Sequence, residues 1–189
     1  MDRSDFPGDT VWADDSRLYR GVWDDLRFSA AGINPPGAAS DPTRDTEDGC
    51  FLFSASATNI LALQAQMPHD WAEGSSLHFH LHLSPTNTNT GNSLWRVEYK
   101  IAGKDEAFPA NWTSIDMLVA GSGIADMHQL AEWDPPVSMT GKLVSTMIRI
   151  RISRIGGDAT DTYNADMKLN EFDIHYLKDG IGSTSEYVK

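Results

Sequence analysis

Three histidines alternate with apolar residues in Leu77-His-Phe-His-Leu-His-Leu83. On an extended backbone, side chains two residues apart leave the same face, about 6–7 Å from each other at about 3.3 Å rise per residue. His78, His80 and His82 therefore form a ladder behind which Leu77, Phe79, Leu81 and Leu83 point the other way. Imidazole suits first-row metals such as Fe, Zn, Ni or Cu. One expectation is an ion shared by neighbouring rungs, Fe or Zn being the cofactor, with His175 added from an adjacent strand or with the ion on the axis of an oligomer. The plainer expectation is the polar outer face of a sheet, where Arg96, Glu98, Arg149, Glu171 and Asp173 are cross-strand partners. Two sets of aromatics offer binding chemistry of another kind. Trp12, Tyr19 and Trp23 are large anchors for a protein partner, and Trp112, Trp133 and Tyr163 sit in loop regions as stacking platforms for a ligand.

Catalytic patterns are thin. A His-x-His strand resembles the cupin pattern, but Ser84, Pro85 and Thr86 stand where a carboxylate ligand would follow. The run Glu171-Phe-Asp-Ile-His-Tyr176 resembles the strand of laminarinase-type glycosidases, yet Tyr176 replaces the second Glu that a two-carboxylate mechanism needs. No Gly-x-Ser-x-Gly elbow, P-loop or dinucleotide fingerprint is present. Cys50 opens an apolar run and reads as a buried small hydrophobe. The loop Gly156-Gly-Asp-Ala-Thr-Asp-Thr-Tyr-Asn-Ala-Asp166 is rich in oxygens, but without the EF-hand spacing it reads as a turn built from capping Asp and Asn. The expectation is a protein that is not an enzyme.

The elements that would carry these groups are strands. Period-2 alternation recurs in Leu77–Leu83, Leu94–Ile101, Ile148–Ser153 and Glu171–Tyr176, and more weakly in Gly21–Phe28, Cys50–Ser56, Ile60–Gln66, Thr113–Val119 and His128–Trp133. Polar turns separate them, such as Ser84–Ser93 (SPTNTNTGNS), which points to a hairpin. Short strands without intervening helices predict an all-β fold, an antiparallel β-sandwich of jelly-roll type. Residues 29–49 lack periodicity and read as an extended loop or linker, so the chain divides into an N-terminal arm (1–28), a linker (29–49) and the sandwich (50–189).

Composition narrows the function classes. The 189 residues carry 15 Lys+Arg against 27 Asp+Glu, a formal net charge of −12. Such a surface does not suit a nucleic-acid backbone. No segment has the apolar length of a membrane-spanning helix. The acidic start MDRSDFPGDTVWADD lacks an apolar stretch, so no secretory signal is expected, and one cysteine fits assembly in a reducing cytoplasm.

Several blocks together carry a resemblance: Tyr19-Arg-Gly-Val-Trp-Asp-Asp-Leu-Arg27, Met67-Pro-His-Asp-Trp71, the HFHLHL strand, Asp158–Tyr163, Glu171–Tyr176 and Ile181–Tyr187. They resemble a family of small tailed-bacteriophage proteins encoded among virion genes. The resemblance implies a structural virion component (tail, fibre, collar or capsid decoration) made in the host cytoplasm. It implies a jelly-roll trimer, other virion proteins as partners, and a His-x-His strand that holds iron on a threefold axis. Two other expectations stand beside it: a receptor- or carbohydrate-binding module and a cupin-like metal enzyme.

Overall fold

The structure is a computed structural model that describes residues 21–189. Trp12, Tyr19 and most of the expected arm lie outside the described residues. The described residues form ten strands: β1 (Val22–Ser29), β2 (Thr43–Asp45), β3 (Cys50–Phe53), β4 (Thr58–Gln66), β5 (His78–Pro85), β6 (Asn92–Ala102), β7 (Thr113–Ala120), β8 (Gln129–Glu132), β9 (Met147–Ile155) and β10 (Met167–Lys178). Every segment with alternating sequence becomes a strand. β2 does not alternate in this way; it has three residues, Thr-Arg-Asp, none of them apolar.

Strands β2-β3-β10-β5-β8 form one sheet, with β1 also on β10, and β4-β9-β6-β7 form the other. All the pairings are antiparallel. The orders 3-10-5-8 and 4-9-6-7 are those of a jelly roll, in which the chain repeatedly crosses between two stacked sheets. The fold is thus an antiparallel β-sandwich. Between the sheets lie Phe53, Phe79, Leu81 and Phe172 from the first and Leu61, Trp95, Val97, Ile150 and Ile152 from the second, all buried.

Inside the segment read as arm and linker, the described residues are tied to this framework. β1 pairs with β10 along its whole length, from Val22 opposite Lys178 to Ser29 opposite Glu171. Leu26 and Phe28 pack on the core while Asp25 and Arg27 face outward, which is why this stretch extends as a strand. Beyond it, Ala30 is buried and Asp41 folds the loop by accepting the N–H groups of Gly37 (2.7 Å) and Ala38 (2.9 Å).

One charged group stands in the core itself. Arg154 continues the inward row of Ile148, Ile150 and Ile152 on β9, and its side chain is fully buried. Its guanidinium donates to both carboxylate oxygens of Asp161 (2.9 and 2.8 Å), twice through one nitrogen to Phe53 O and Ala165 O (3.0 and 2.7 Å), and to Tyr163 O (2.6 Å). Five donors meet five acceptors, so the loop between β9 and β10 is fastened to β3 through one side chain.

Candidate histidine and carboxylate site

The outer face of the first sheet owes its composition to a bulge. In β10, Met167 and Leu169 face the core, and so do Phe172, Ile174 and Tyr176, which lie in the opposite phase of the alternation. The register against β5 shifts between Leu169 and Glu171, leaving Asn170 as the extra residue, its amide donating to Ser84 Oγ at 2.8 Å. A bulge of this kind inserts one residue and resets which face the following side chains take. Because of it, Glu171, Asp173 and His175 turn outward, where they stand opposite His82, His80 and His78. Asp25 of β1 lies opposite His175 on the other side, and Glu132 of β8 opposite His80.

His80 is the centre of the group and is buried. Its Nδ1 lies 3.0 Å from His175 Nε2 and 3.4 Å from Asp173 Oδ1, and its Nε2 lies 3.3 Å from Glu132 Oε2. His175 Nε2 is also 3.1 Å from Asp25 Oδ1 and 3.3 Å from Asp173 Oδ2. His82 reaches Asp173 Oδ2 through Nε2 at 3.1 Å and His128 Nε2 through Nδ1 at 2.8 Å. His78 contacts Glu132 through Nδ1, and Trp23 stands edge-on to its ring, centroids 5.1 Å apart.

These neighbours move the protonation equilibria. Burial opposes charging His80, but the hydrogen bond and charge of Asp173, reinforced by Glu132, outweigh it and raise its pKa. Burial works against the Asp173 carboxylate as well, and hydrogen bonds from His80 and His82 with the charge of His175 hold it below the ordinary carboxylate value. Glu132 is lowered in the same way: burial works against it, and His78 and His80 overcome that cost.

The expected ladder is therefore divided. His78, His80 and His82 share a face, but carboxylates stand between the rungs: Glu132 contacts the first two and Asp173 the last two. Two groupings hold potential ligand atoms within 4.8 Å of one another: His80, Asp173 and His175, and His82, Glu171 and Asp173. Each contains one rung. The carboxylate missing after the histidine strand comes instead from β10, far along the chain. In the second grouping Glu171 is already engaged by Arg27, at 2.7 and 3.0 Å.

Of the expected stacking platforms, two require correction. Trp133 (1 % exposed) and Tyr163 (0 %) are core residues. Trp133 is held by its backbone pairing to Phe79, and the Tyr163 ring packs against Gly121, where it accepts a hydrogen bond from Asn87 N–H. A ring with no accessible face cannot stack on a ligand. Trp112 is half-buried beside a groove of ≈ 300 Å³ lined by Ala62, Leu63, Gln64, Arg149 and Arg151, with Arg151 and Lys100 over its ring. Trp23, the described member of the anchor set, is exposed on the outer face of β1. The Asp158–Asp166 loop spends its oxygens internally: Asp158 caps Thr160, Asp161 holds Arg154, and Asp166 accepts Ala55 N–H.

No family model matches the chain, and no curated protein matches it. Among solved structures it is similar to the isomalto-dextranase of Arthrobacter globiformis T6 (13 % identity, TM-score 0.42, 79 % of this chain and 23 % of that one). It is also similar to the CBM35 from Cellvibrio japonicus Abf62 (12 %, 0.45, 88 % and 99 %). A third is the infectious bursal disease virus VP2 subviral particle (11 %, 0.40, 86 % and 35 %). The chain thus spans a minor part of the first and third and nearly all of the second. At these similarities, what those proteins bind or build is not carried over to this one.

Proposed function

We propose that this β-sandwich module is a non-enzymatic structural subunit of a tailed-phage particle, assembled from copies of itself as a trimer and made in the host cytoplasm before incorporation. The observation that carries the reading is the side of the sandwich bounded by β7 and β8. β7 pairs only with β6 and β8 only with β5, so each leaves a row of backbone groups unpaired among the described residues. Along this side Leu118, Ile124, Met127 and Leu130 are each about half exposed. Open strand edges flanked by apolar side chains are the features that association covers. The resemblance of the sequence blocks to virion proteins points the same way, and the net charge of −12 keeps free copies soluble until they assemble.

Native mass spectrometry of the full chain at micromolar concentration tests this. A trimer is the expected species, and the double variant Leu118→Lys, Ile124→Lys should return it to monomers with an unchanged far-UV dichroism spectrum. A wild-type chain that stays monomeric overturns the reading, as does its absence from purified particles of the encoding phage. A second reading, a receptor- or carbohydrate-binding module, rests on the groove beside Trp112. Binding on a glycan array that is lost in Trp112→Ala would promote it.

A further inference from the structure

The outer face of the first sheet gathers five of the six histidines, His78, His80, His82, His128 and His175, around three carboxylates, Asp25, Glu132 and Asp173. We propose that His80 Nδ1, His175 Nε2 and the Asp173 carboxylate form a site within one chain for a single divalent first-row transition ion of the Zn²⁺ class, with Asp25 as the fourth donor. This proposal does not rest on the assembly reading: its donors come from β1, β5 and β10, and β8 adds only Glu132 behind His80.

The spacing of the donors is the first argument. Bonds of about 2.0–2.2 Å from a metal to N or O place neighbouring corners of a tetrahedron or octahedron about 2.8–3.6 Å apart. The separations here are 3.0 Å (His80 to His175), 3.1 Å (His175 to Asp25), 3.3 Å (His175 to Asp173) and 3.4 Å (His80 to Asp173). They fall in the range of such edges, with Asp173 presenting Oδ1 to His80 and Oδ2 to His175.

Proton bookkeeping is the second. Glu132 only accepts, so it draws the His80 proton to Nε2 and leaves Nδ1 with a lone pair. His175 Nε2 then faces three acceptors, His80 Nδ1, Asp25 and Asp173, with at most one hydrogen to share. Asp173 Oδ2 receives His82, whereas Oδ1, buried on a residue only 3 % exposed, faces His80 Nδ1 at 3.4 Å and gets no hydrogen bond from it while that nitrogen keeps its lone pair. A buried carboxylate oxygen without a donor is costly. A cation at the centre of the donors satisfies all of them at once.

Charge and support agree. Among the described residues no Lys or Arg forms an ion pair with Asp25, Glu132 or Asp173, since Arg27 pairs with Glu171. Three carboxylates thus meet on one face with no basic side chain paired to them, and a bound cation supplies the missing positive charge. Glu132 behind His80 and His82 behind Asp173 are the outer partners that orient ligating groups. Two imidazoles with carboxylates, and no thiolate, favour an ion of intermediate softness over Ca²⁺ or Mg²⁺, which take oxygen. The ion has a path in, because a recess of ≈ 190 Å³ between Trp23, His78, His80, Glu132 and His175 opens onto the group.

Equilibrium dialysis of the full chain against Zn²⁺, followed by elemental analysis, should find one ion per chain. Co²⁺ in its place should give the visible absorption of an ordered N/O site. His80→Ala and His175→Ala should lose the ion, while His69→Ala, whose histidine contacts Ser183 elsewhere, should keep it. Far-UV dichroism checks that the variants fold. Should an Ala variant unfold, Asp173→Asn, which keeps the side-chain shape, decides by losing affinity at least about 10-fold. No bound ion, an ion retained unchanged in these variants, or one ion per three chains would overturn the site.

Discussion

Arg154 sits where alternation alone would place another isoleucine, and its fitness there depends on Asp161 and three carbonyls that arrive from other segments. Removing either charge leaves the other buried without compensation, which costs about 3–5 kcal/mol. Arg154→Leu and Asp161→Asn should each lower stability by about that amount in urea unfolding. A loss below about 1 kcal/mol in both would show the pair to be dispensable. At this scale the sequence was half legible. The apolar partners of the histidines marked His78, His80 and His82 as one face, and His175 as a neighbour. What it could not show was which histidine meets which carboxylate, because that depends on pairing across nearly a hundred residues. Trp133 and Tyr163 were misplaced for a related reason: an aromatic next to turn residues looks exposed until the loop folds inward over the core.

For the elements, periodicity carried nearly everything. The strands from β3 to β10 show their alternation in the residues themselves, and Leu26 and Phe28 give β1 away. β2 escaped because Thr43-Arg-Asp45 has no apolar phase; it is a strand only because β3 lies beside it. The bulge at Asn170 left a trace that is readable in retrospect, an apolar phase that runs Met167, Leu169 and then restarts at Phe172. β1 also has measurable weight. Its Phe28 ring lies against Phe172, centroids 6.0 Å apart, and Leu26 stands opposite Ile174. A chain starting at Gly21 keeps all the described pairings, whereas one starting at Ser29 loses β1. The shorter chain should be less stable by about 2–4 kcal/mol, from the apolar burial of those two side chains. Equal midpoints in chemical unfolding would show β1 to be an accessory rather than a part of the sandwich.

Across the whole molecule, acid groups outnumber basic ones and several are tied down. A hydrogen bond from Lys178 holds Asp24 below its ordinary value of 3.8, and one from Arg96 does the same for Asp116. A lowered carboxylate adds stability above its unfolded value and loses it as pH falls through the folded one. The thermal midpoint should therefore hold from neutral pH down to about 5 and drop below about 4. A midpoint that climbs steadily into acid would show that relief of the net negative charge outweighs these ties. The jelly-roll order has a further consequence, for biosynthesis. Of the described strands β10 leaves the ribosome last, yet it is the one that β1, β3 and β5 all wait for. Until residue 178 has emerged, half of the sandwich has no centre, and a translation product that stops short of Met167 strands three earlier segments together.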